Sequence, residues 1–137
     1  MYRQLDDRTL VGGQIAAEDV VTLKAEGVTL IINNRPDHED AGQPEGEEIE
    51  AAAGEVGIDY RHVPIARGLG PSDIEAMREA INSVGEGKIF AFCRSGNRSA
   101  LAWAVARSED GVPREELERM ANQAGFDLGP VAHLIRD

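Results

Sequence analysis

The sequence predicts an α/β fold with three layers, in which helices cover both faces of a central, mostly parallel sheet. Segments typical of strands and of helices alternate along the 137 residues. Two short apolar runs, at 28–33 and 88–92, have the composition of strands that are buried on both faces. Because 137 residues suit one core, we expect positions 1–137 to form a single domain.

In the first half of the chain, strands and helices are separated by residues that end or interrupt regular structure. We predict a short strand or turn at 10–13, a helix at 17–27, a strand at 28–33, a loop at 35–44 and a helix at 45–57. Gly27 predicts the end of the first helix, because glycine often follows the last helical turn. Pro36, Gly42 and Pro44 predict the loop.

The second half continues this alternation and ends in helices. We predict a strand at 58–65, a loop at 66–71, a helix from 72 to about 84, a turn at 85–87, a strand at 88–92, a helix at about 99–108, a helix from Pro113 to about Ala124 and a short helical tail after Gly129. Ser72 is followed three residues later by Glu75, a capping-box pattern that predicts the start of the helix at 72.

The bulk composition excludes several classes of function. A formal net charge of −11 opposes nucleic-acid binding, and the single cysteine cannot form an internal disulfide. The three histidines lack metal-ligand spacing, so we expect neither a metal nor another cofactor. The amino terminus has no apolar run, and no stretch reaches the roughly 18 apolar residues of a membrane span. We therefore expect a cytoplasmic protein.

A loop of small and basic residues begins with Cys93, at the carboxyl end of the strand at 88–92. The rest of this Cys loop consists of Arg94, Ser95, Gly96, Asn97, Arg98 and Ser99. Ligands of parallel sheets bind at this end of the strands. Such a loop can direct backbone N–H groups inward, and the following helix adds the positive end of its dipole, so we expect an anion-binding cradle. The same field favours thiolate over thiol, which predicts that Cys93 is a nucleophile and that the other loop residues bind substrate.

Other side chains near this edge of the sheet have competing interpretations. Free cysteines are often buried, inert side chains, but the flanking residues make that interpretation of Cys93 the weaker one. Arg35 and Arg67 follow predicted strands and are candidates for substrate binding, although Arg35 could equally pair with a carboxylate. For His62 and Asp73 we favour structural roles, as a hydrogen-bonding group within a strand and as a residue of a first helical turn. Trp103 is expected in the core.

Several motifs resemble known families. The Cys loop after an apolar strand resembles the active loop of rhodanese-type sulfurtransferases. Segments along the whole chain resemble the bacterial beta-lactamase-hydrolase-like family of phosphatase-like domains, and they are Val11–Gln14, Ile31–Asp37, Tyr60–Ile65, the Cys loop and Ala124–Leu128. This resemblance implies a fold similar to that of dual-specificity and tyrosine phosphatases. It also implies either phosphatase or sulfur-transfer activity, because both are ascribed to this family.

Two departures from the phosphatase pattern separate these chemistries. Tyrosine-phosphatase loops place an arginine six positions after the cysteine, a position that is Ser99 here, whereas Arg98 comes one residue early, as in rhodanese-type loops. Phosphatases of this fold usually carry an acidic residue on the loop after the preceding strand, and residues 62–70 contain none. Sulfur transfer needs no such acid.

Our first hypothesis is therefore a sulfurtransferase that forms a persulfide on Cys93, with Arg98 as the second catalytic residue. One alternative is a phosphatase that forms a phosphocysteine, and another is a non-enzymatic module that binds and relays an anion or a persulfide. We expect a small anionic or persulfide substrate. The resemblance also implies a persulfide dioxygenase or another sulfide-metabolism protein as a partner.

Overall fold

A computed structural model describes residues 2–137, which form a five-stranded sheet with helices on both faces. The strands are β1 (Tyr2–Asp6), β2 (Thr9–Gly12), β3 (Val28–Asn33), β4 (Asp59–His62) and β5 (Lys88–Phe92). The helices are α1 (Asp19–Ala25), α2 (Gly46–Val56), α3 (Pro71–Asn82), α4 (Asn97–Glu109) and α5 (Arg114–Gln123), followed by a 3-10 helix at Gly129–Leu134. Within these residues, no helix has both the length and the apolarity needed to cross a membrane.

The sheet has the strand order β1-β2-β5-β3-β4, so that β5, the strand before Cys93, lies at its centre. β1 pairs antiparallel with β2, and the remaining pairs are parallel. The predicted mostly parallel sheet is therefore confirmed.

Alternate side chains of the central strands point into two separate apolar layers. Ile31 and Phe90 pack in a cluster with residues of α1 and α2, whereas Ile32 and Ile89 pack with residues of α3, α4 and α5. Trp103 of α4 is fully buried in the second cluster, as expected. The predicted three-layer arrangement is confirmed, and it explains why β3 and β5 are apolar on both faces.

Three local predictions are corrected by the structure. β1 was not predicted, because Leu5 is its one buried side chain and the strand lacks an apolar pattern. The strand expected at 58–65 ends at His62, because the register is lost beyond it: the N–H groups of Val63 and Ile65 donate to the carbonyls of two consecutive residues, Asn33 and Asn34. The capping box at Ser72 is wrong: α3 begins one residue earlier at Pro71, and the Asp73 carboxylate accepts the Gly70 N–H at 3.0 Å.

Candidate functional site

The parallel strands end level with one another at one edge of the sheet. Phe92 of β5 lies opposite Gly12 of β2 and Asn33 of β3, and Asn33 lies opposite His62 of β4. The residues that follow these positions are therefore brought together. The Cys93 N–H donates to the Gly12 carbonyl at 3.4 Å, which holds the start of the Cys loop beside the end of β2.

The sulfur of Cys93 lies inside the Cys loop, at the amino end of α4. Cys93 is 1% exposed, and its Sγ accepts the Gly96 N–H at 3.1 Å. Gly96 precedes the first residue of α4 and has a φ of 95°, a left-handed conformation that glycine adopts without strain. The loop therefore directs an N–H group at the sulfur, an arrangement that stabilises a thiolate or a bound anion.

The end of β2 approaches the Cys loop so closely that only glycine fits there. A Cβ atom on Gly13 would lie 2.9 Å from the Arg94 carbonyl oxygen, which is backbone and cannot move aside. The Gln14 N–H donates to the same oxygen at 3.4 Å. The residues after β2 therefore form one wall of the Cys loop.

The guanidinium of Arg98 binds a carboxylate that belongs to no motif in the sequence. Its Nη1 and Nη2 donate to the two carboxylate oxygens of Glu39, at 2.7 and 2.8 Å, and Nη1 also donates to the Ile65 carbonyl at 2.7 Å. The Glu39 hydrogen bond is the main cause that raises the pKa of Arg98, and Cys93 adds to it. The paired Nη atoms bind Glu39 in the geometry with which arginine binds phosphate or sulfate oxygens.

Glu39 also connects Arg98 to a second, buried arginine. Arg35 is 4% exposed and donates to Glu39 Oε1 at 2.9 Å, to Asp40 Oδ2 at 2.7 Å and to Gln14 Oε1 at 3.0 Å. The hydrogen bond from Arg98 is the main cause that lowers the pKa of Glu39 to about 2. Burial opposes this effect, and the hydrogen bond from Arg35 lowers the pKa further. Of the two interpretations of Arg35, the structure shows the ion pair with carboxylates.

The remaining candidates for substrate binding have different surroundings. Arg94 is exposed, with its Nε 3.3 Å from Asp40 Oδ2. Three further candidates are exposed to solvent. Ser95 lies in the Cys loop, Asn97 is the first residue of α4, and Arg67 lies on the loop between β4 and α3. Glu39 and Asp40 carried no distinguishing signal in the sequence, because acidic residues are common throughout this chain.

Ser99 is fully buried and holds the loop in place. Its hydroxyl donates to Asn34 Oδ1 at 2.8 Å, and Asn34 Nδ2 donates to the Val63 carbonyl at 3.0 Å. The hydroxyl of Ser99 is therefore engaged by Asn34. His62 Nε2 lies 2.8 Å from the Arg35 carbonyl oxygen, a structural hydrogen bond of the expected kind. Residues 2–137 contain no group of three side chains suited to hold a metal ion.

Sequence comparisons match this chain to one family over most of its length. The family described as "Beta-lactamase hydrolase-like protein, phosphatase-like domain" matches residues 1–110. Beta-lactamase hydrolase-like proteins of Agrobacterium fabrum and Xylella fastidiosa are each 34% identical, over 130 and 127 residues, and the matches cover 91% of this chain. The chain spans 29% of the length of these relatives.

Solved structures similar to this chain include phosphatases and phosphatase candidates. A phosphatase candidate from Neisseria meningitidis is 31% identical, with a TM-score of 0.80 over 96% of this chain and 94% of that one. PTPMT1 has a TM-score of 0.71 at 17% identity, over 98% and 93% of the two chains, and kinase-associated phosphatase has 0.70 at 16%, over 90% and 82%. The predicted similarity to the tyrosine and dual-specificity phosphatase fold is confirmed. These comparisons support the phosphatase alternative better than our first hypothesis of a sulfurtransferase.

Proposed function

Because the chain belongs to the family of beta-lactamase hydrolase-like phosphatase-like domains, we propose that it is a Cys-dependent phosphohydrolase with Cys93 as the nucleophile. The observation that carries the proposal is the hydrogen bond from the Gly96 N–H to the Cys93 sulfur, in a loop between a central strand and a helix amino terminus. This environment suits both the thiolate and the phosphoryl oxygens that it would meet.

The reaction proceeds in two displacements at phosphorus. The Cys93 thiolate attacks the phosphoryl group, an S–P bond forms, the ester P–O bond breaks and the leaving group departs with the electron pair. Water then attacks the phosphocysteine, which releases inorganic phosphate and regenerates the thiolate. Backbone N–H groups of the Cys loop stabilise the phosphoryl oxygens, and Arg98 binds them once Glu39 has moved away.

The loop after β4 supplies no carboxylate to protonate the leaving group. Residues 62–70 contain no carboxylate, and the Asp73 carboxylate accepts the Gly70 N–H at the start of α3. Glu39, with a pKa of about 2, is ionised at neutral pH and holds no proton to give. We therefore propose aryl phosphates as substrates, because a phenolate leaves without protonation far more readily than an alkoxide.

A second candidate function is sulfur transfer, and the early position of Arg98 favours it. In that reaction the Cys93 thiolate attacks the outer sulfur of thiosulfate. A new S–S bond forms, the S–S bond of the donor breaks and sulfite leaves. The persulfide sulfur is then passed to a thiol or to cyanide, and no proton donor is required. A partner from sulfide metabolism, such as a persulfide dioxygenase, would belong to this candidate.

One preparation assayed for both activities tests the proposal. We expect phosphate release from 4-nitrophenyl phosphate that falls by about 100-fold or more in Cys93→Ser, with no thiocyanate formed from thiosulfate and cyanide. Thiocyanate formation without phosphate release, together with a mass increase of one sulfur atom on Cys93, would establish the second candidate instead. If neither activity appears, the protein is a binding or relay module.

A further inference from the structure

An apolar pocket of about 210 Å³ opens beside Arg98. Its lining consists of the apolar residues Ile65, Leu69, Leu101, Pro130 and Val131, together with Gly68 and Arg98. Among these lining residues, Arg98 alone is charged. Among residues 2–137, the only carboxylate shown to bind this charged lining residue is Glu39, which an incoming oxyanion would have to displace from the Arg98 guanidinium.

Three separate parts of the fold are brought together around this pocket. Arg98 and Leu101 lie three residues apart on α4 and therefore share one helix face. The loop after β4 is fixed to Arg98 by the hydrogen bond to the Ile65 carbonyl. The third wall, which includes Val131, comes from the 3-10 helix, beyond the residues 1–110 that the family description covers.

We propose that this pocket binds the apolar aryl part of the anionic substrate whose charged head binds in the Cys loop. This inference rests on the proposed function and specifies its substrate class. An apolar cavity of about 150 Å³ is large enough to hold benzene, so a pocket of about 210 Å³ accommodates one substituted ring. Apolar walls with a single polar group that orients the ligand are typical of small-molecule sites.

A second observation favours the same occupant independently of the volume. Residues 62–70, on the loop after β4, hold no carboxylate to protonate the leaving group, and this favours an ester oxygen that leaves as a stable anion, which phenols provide and aliphatic alcohols do not. Arg98 connects the two halves of such a substrate, because it belongs to the Cys loop and also lines the pocket.

Two phosphonates with the same head and different bodies test the pocket directly. Phenylphosphonate and methylphosphonate are not hydrolysed, so that their dissociation constants can be measured calorimetrically on the intact protein. We expect phenylphosphonate to bind about tenfold more tightly, because part of its ring leaves water. In Leu101→Gln this ratio falls to about twofold or less, whereas the affinity for methylphosphonate is unchanged.

A matched control separates the pocket from general surface effects. Val21 is 62% exposed on α1, and Val21→Gln therefore replaces an exposed apolar side chain with the same amide and should leave both affinities unchanged. If Leu101→Gln lowers the thermal unfolding midpoint, the binding experiment is repeated with Leu69→Gln, a pocket variant on the loop after β4. Equal affinities of the two phosphonates, or a ratio that survives in the pocket variants, would overturn the proposal.

Failure of the phosphoryl chemistry can be distinguished from failure of the pocket. If neither phosphonate binds, the same variants are compared with benzenethiosulfonate and methanethiosulfonate as donors, by the rate at which Cys93 gains one sulfur atom. An aryl preference that disappears in Leu101→Gln would then support the pocket and reject the phosphohydrolase. If neither series shows an aryl preference, the pocket proposal is rejected.

Self-association of the protein that is lost in Leu101→Gln, without an effect on ligand binding, would also overturn the proposal and assign this surface to contact with a second copy of the chain.

Discussion

At the scale of single residues, Glu39 engages the guanidinium of Arg98. Its carboxylate accepts hydrogen bonds from both Nη atoms of Arg98, so that an incoming oxyanion must displace it. Glu39 and Arg98 side chains are 26% and 24% exposed, which limits the strength of this ion pair through solvent screening. Displacement by a dianion is therefore feasible.

Glu39→Gln should tighten the binding of inorganic phosphate and vanadate. Because the substitution removes the competing charge, we expect inhibition constants to fall by about two- to fivefold. Glu47→Gln, an exposed position in the first turn of α2, provides the control with the same change of charge. Weaker anion binding in Glu39→Gln would instead show that Glu39 orients Arg98 for its ligand.

The same carboxylate predicts a loss of stability in acid. The pKa of Glu39 is lowered from 4.5 to about 2 in the folded protein, chiefly by the hydrogen bond from Arg98. A lowered pKa means that this pair stabilises the fold fully above pH 4.5, and that the stabilisation is lost as the pH falls from 4.5 through about 2.

Urea unfolding of the wild type and of Glu39→Gln measures this effect. The difference in unfolding free energy should shrink as the pH is lowered from about 6 to about 3. A difference that stays constant over this range would contradict the assignment.

At the scale of elements, the start of α4 depends on the conformation of Gly96. Gly96→Ala forces a left-handed residue to carry a Cβ atom 3.4 Å from the Gly12 carbonyl, and should displace the N–H that faces Cys93. Gly111→Ala is a matched control, because Gly111 has a similar φ of 98° and no atom within 4 Å of the added Cβ.

Both glycine variants should lose about 1–2 kcal/mol of unfolding free energy, since alanine is strained in this conformation. Only Gly96→Ala should also lose activity, with kcat reduced by about tenfold or more. Chemical denaturation and steady-state kinetics on the two variants measure these effects. Equal kcat values in both variants would show that the hydrogen bond to the sulfur has no catalytic role.

The start of α3 provides a test of the missing proton donor. Asp73 accepts the Gly70 N–H, so Asp73→Asn should lower the unfolding free energy by about 0.5–1 kcal/mol and leave the hydrolysis of aryl phosphates unchanged. The stability loss is measured by urea titration, and the activity on aryl and on alkyl phosphates in parallel. A large loss of activity on alkyl phosphates alone would make Asp73 the general acid.

The order of the elements could be predicted from the sequence because it depends on local patterns. β3 and β5 are short apolar runs, Gly57 ends α2 in a left-handed conformation, and Cys93 follows a strand. The contact between Glu39 and Arg98 depends instead on the path of a loop. That path includes His38, whose φ of 66° is unusual for a residue with a side chain. No sequence pattern predicts this conformation.

At the scale of the whole molecule, the two apolar layers share one sheet, and we predict that they unfold together. Trp103, the single tryptophan, is buried in one layer and reports on it, whereas far-ultraviolet circular dichroism reports on all helices. The two signals should give coincident urea transitions, as is usual for single domains of this size. An earlier loss of one signal would contradict the prediction of a single domain.

The buried residue Asn34 joins several segments around Cys93, and it therefore affects whether they become ordered on folding or on ligand binding. Its backbone N–H donates to the Phe92 carbonyl, while its side chain binds Val63 and Ser99. The ends of β3 and β5, the segment after β4 and the first turn of α4 are thus joined through one residue. The conformational entropy of the segments around Cys93 is therefore lost when the chain folds, so that a ligand that binds there does not have to order them.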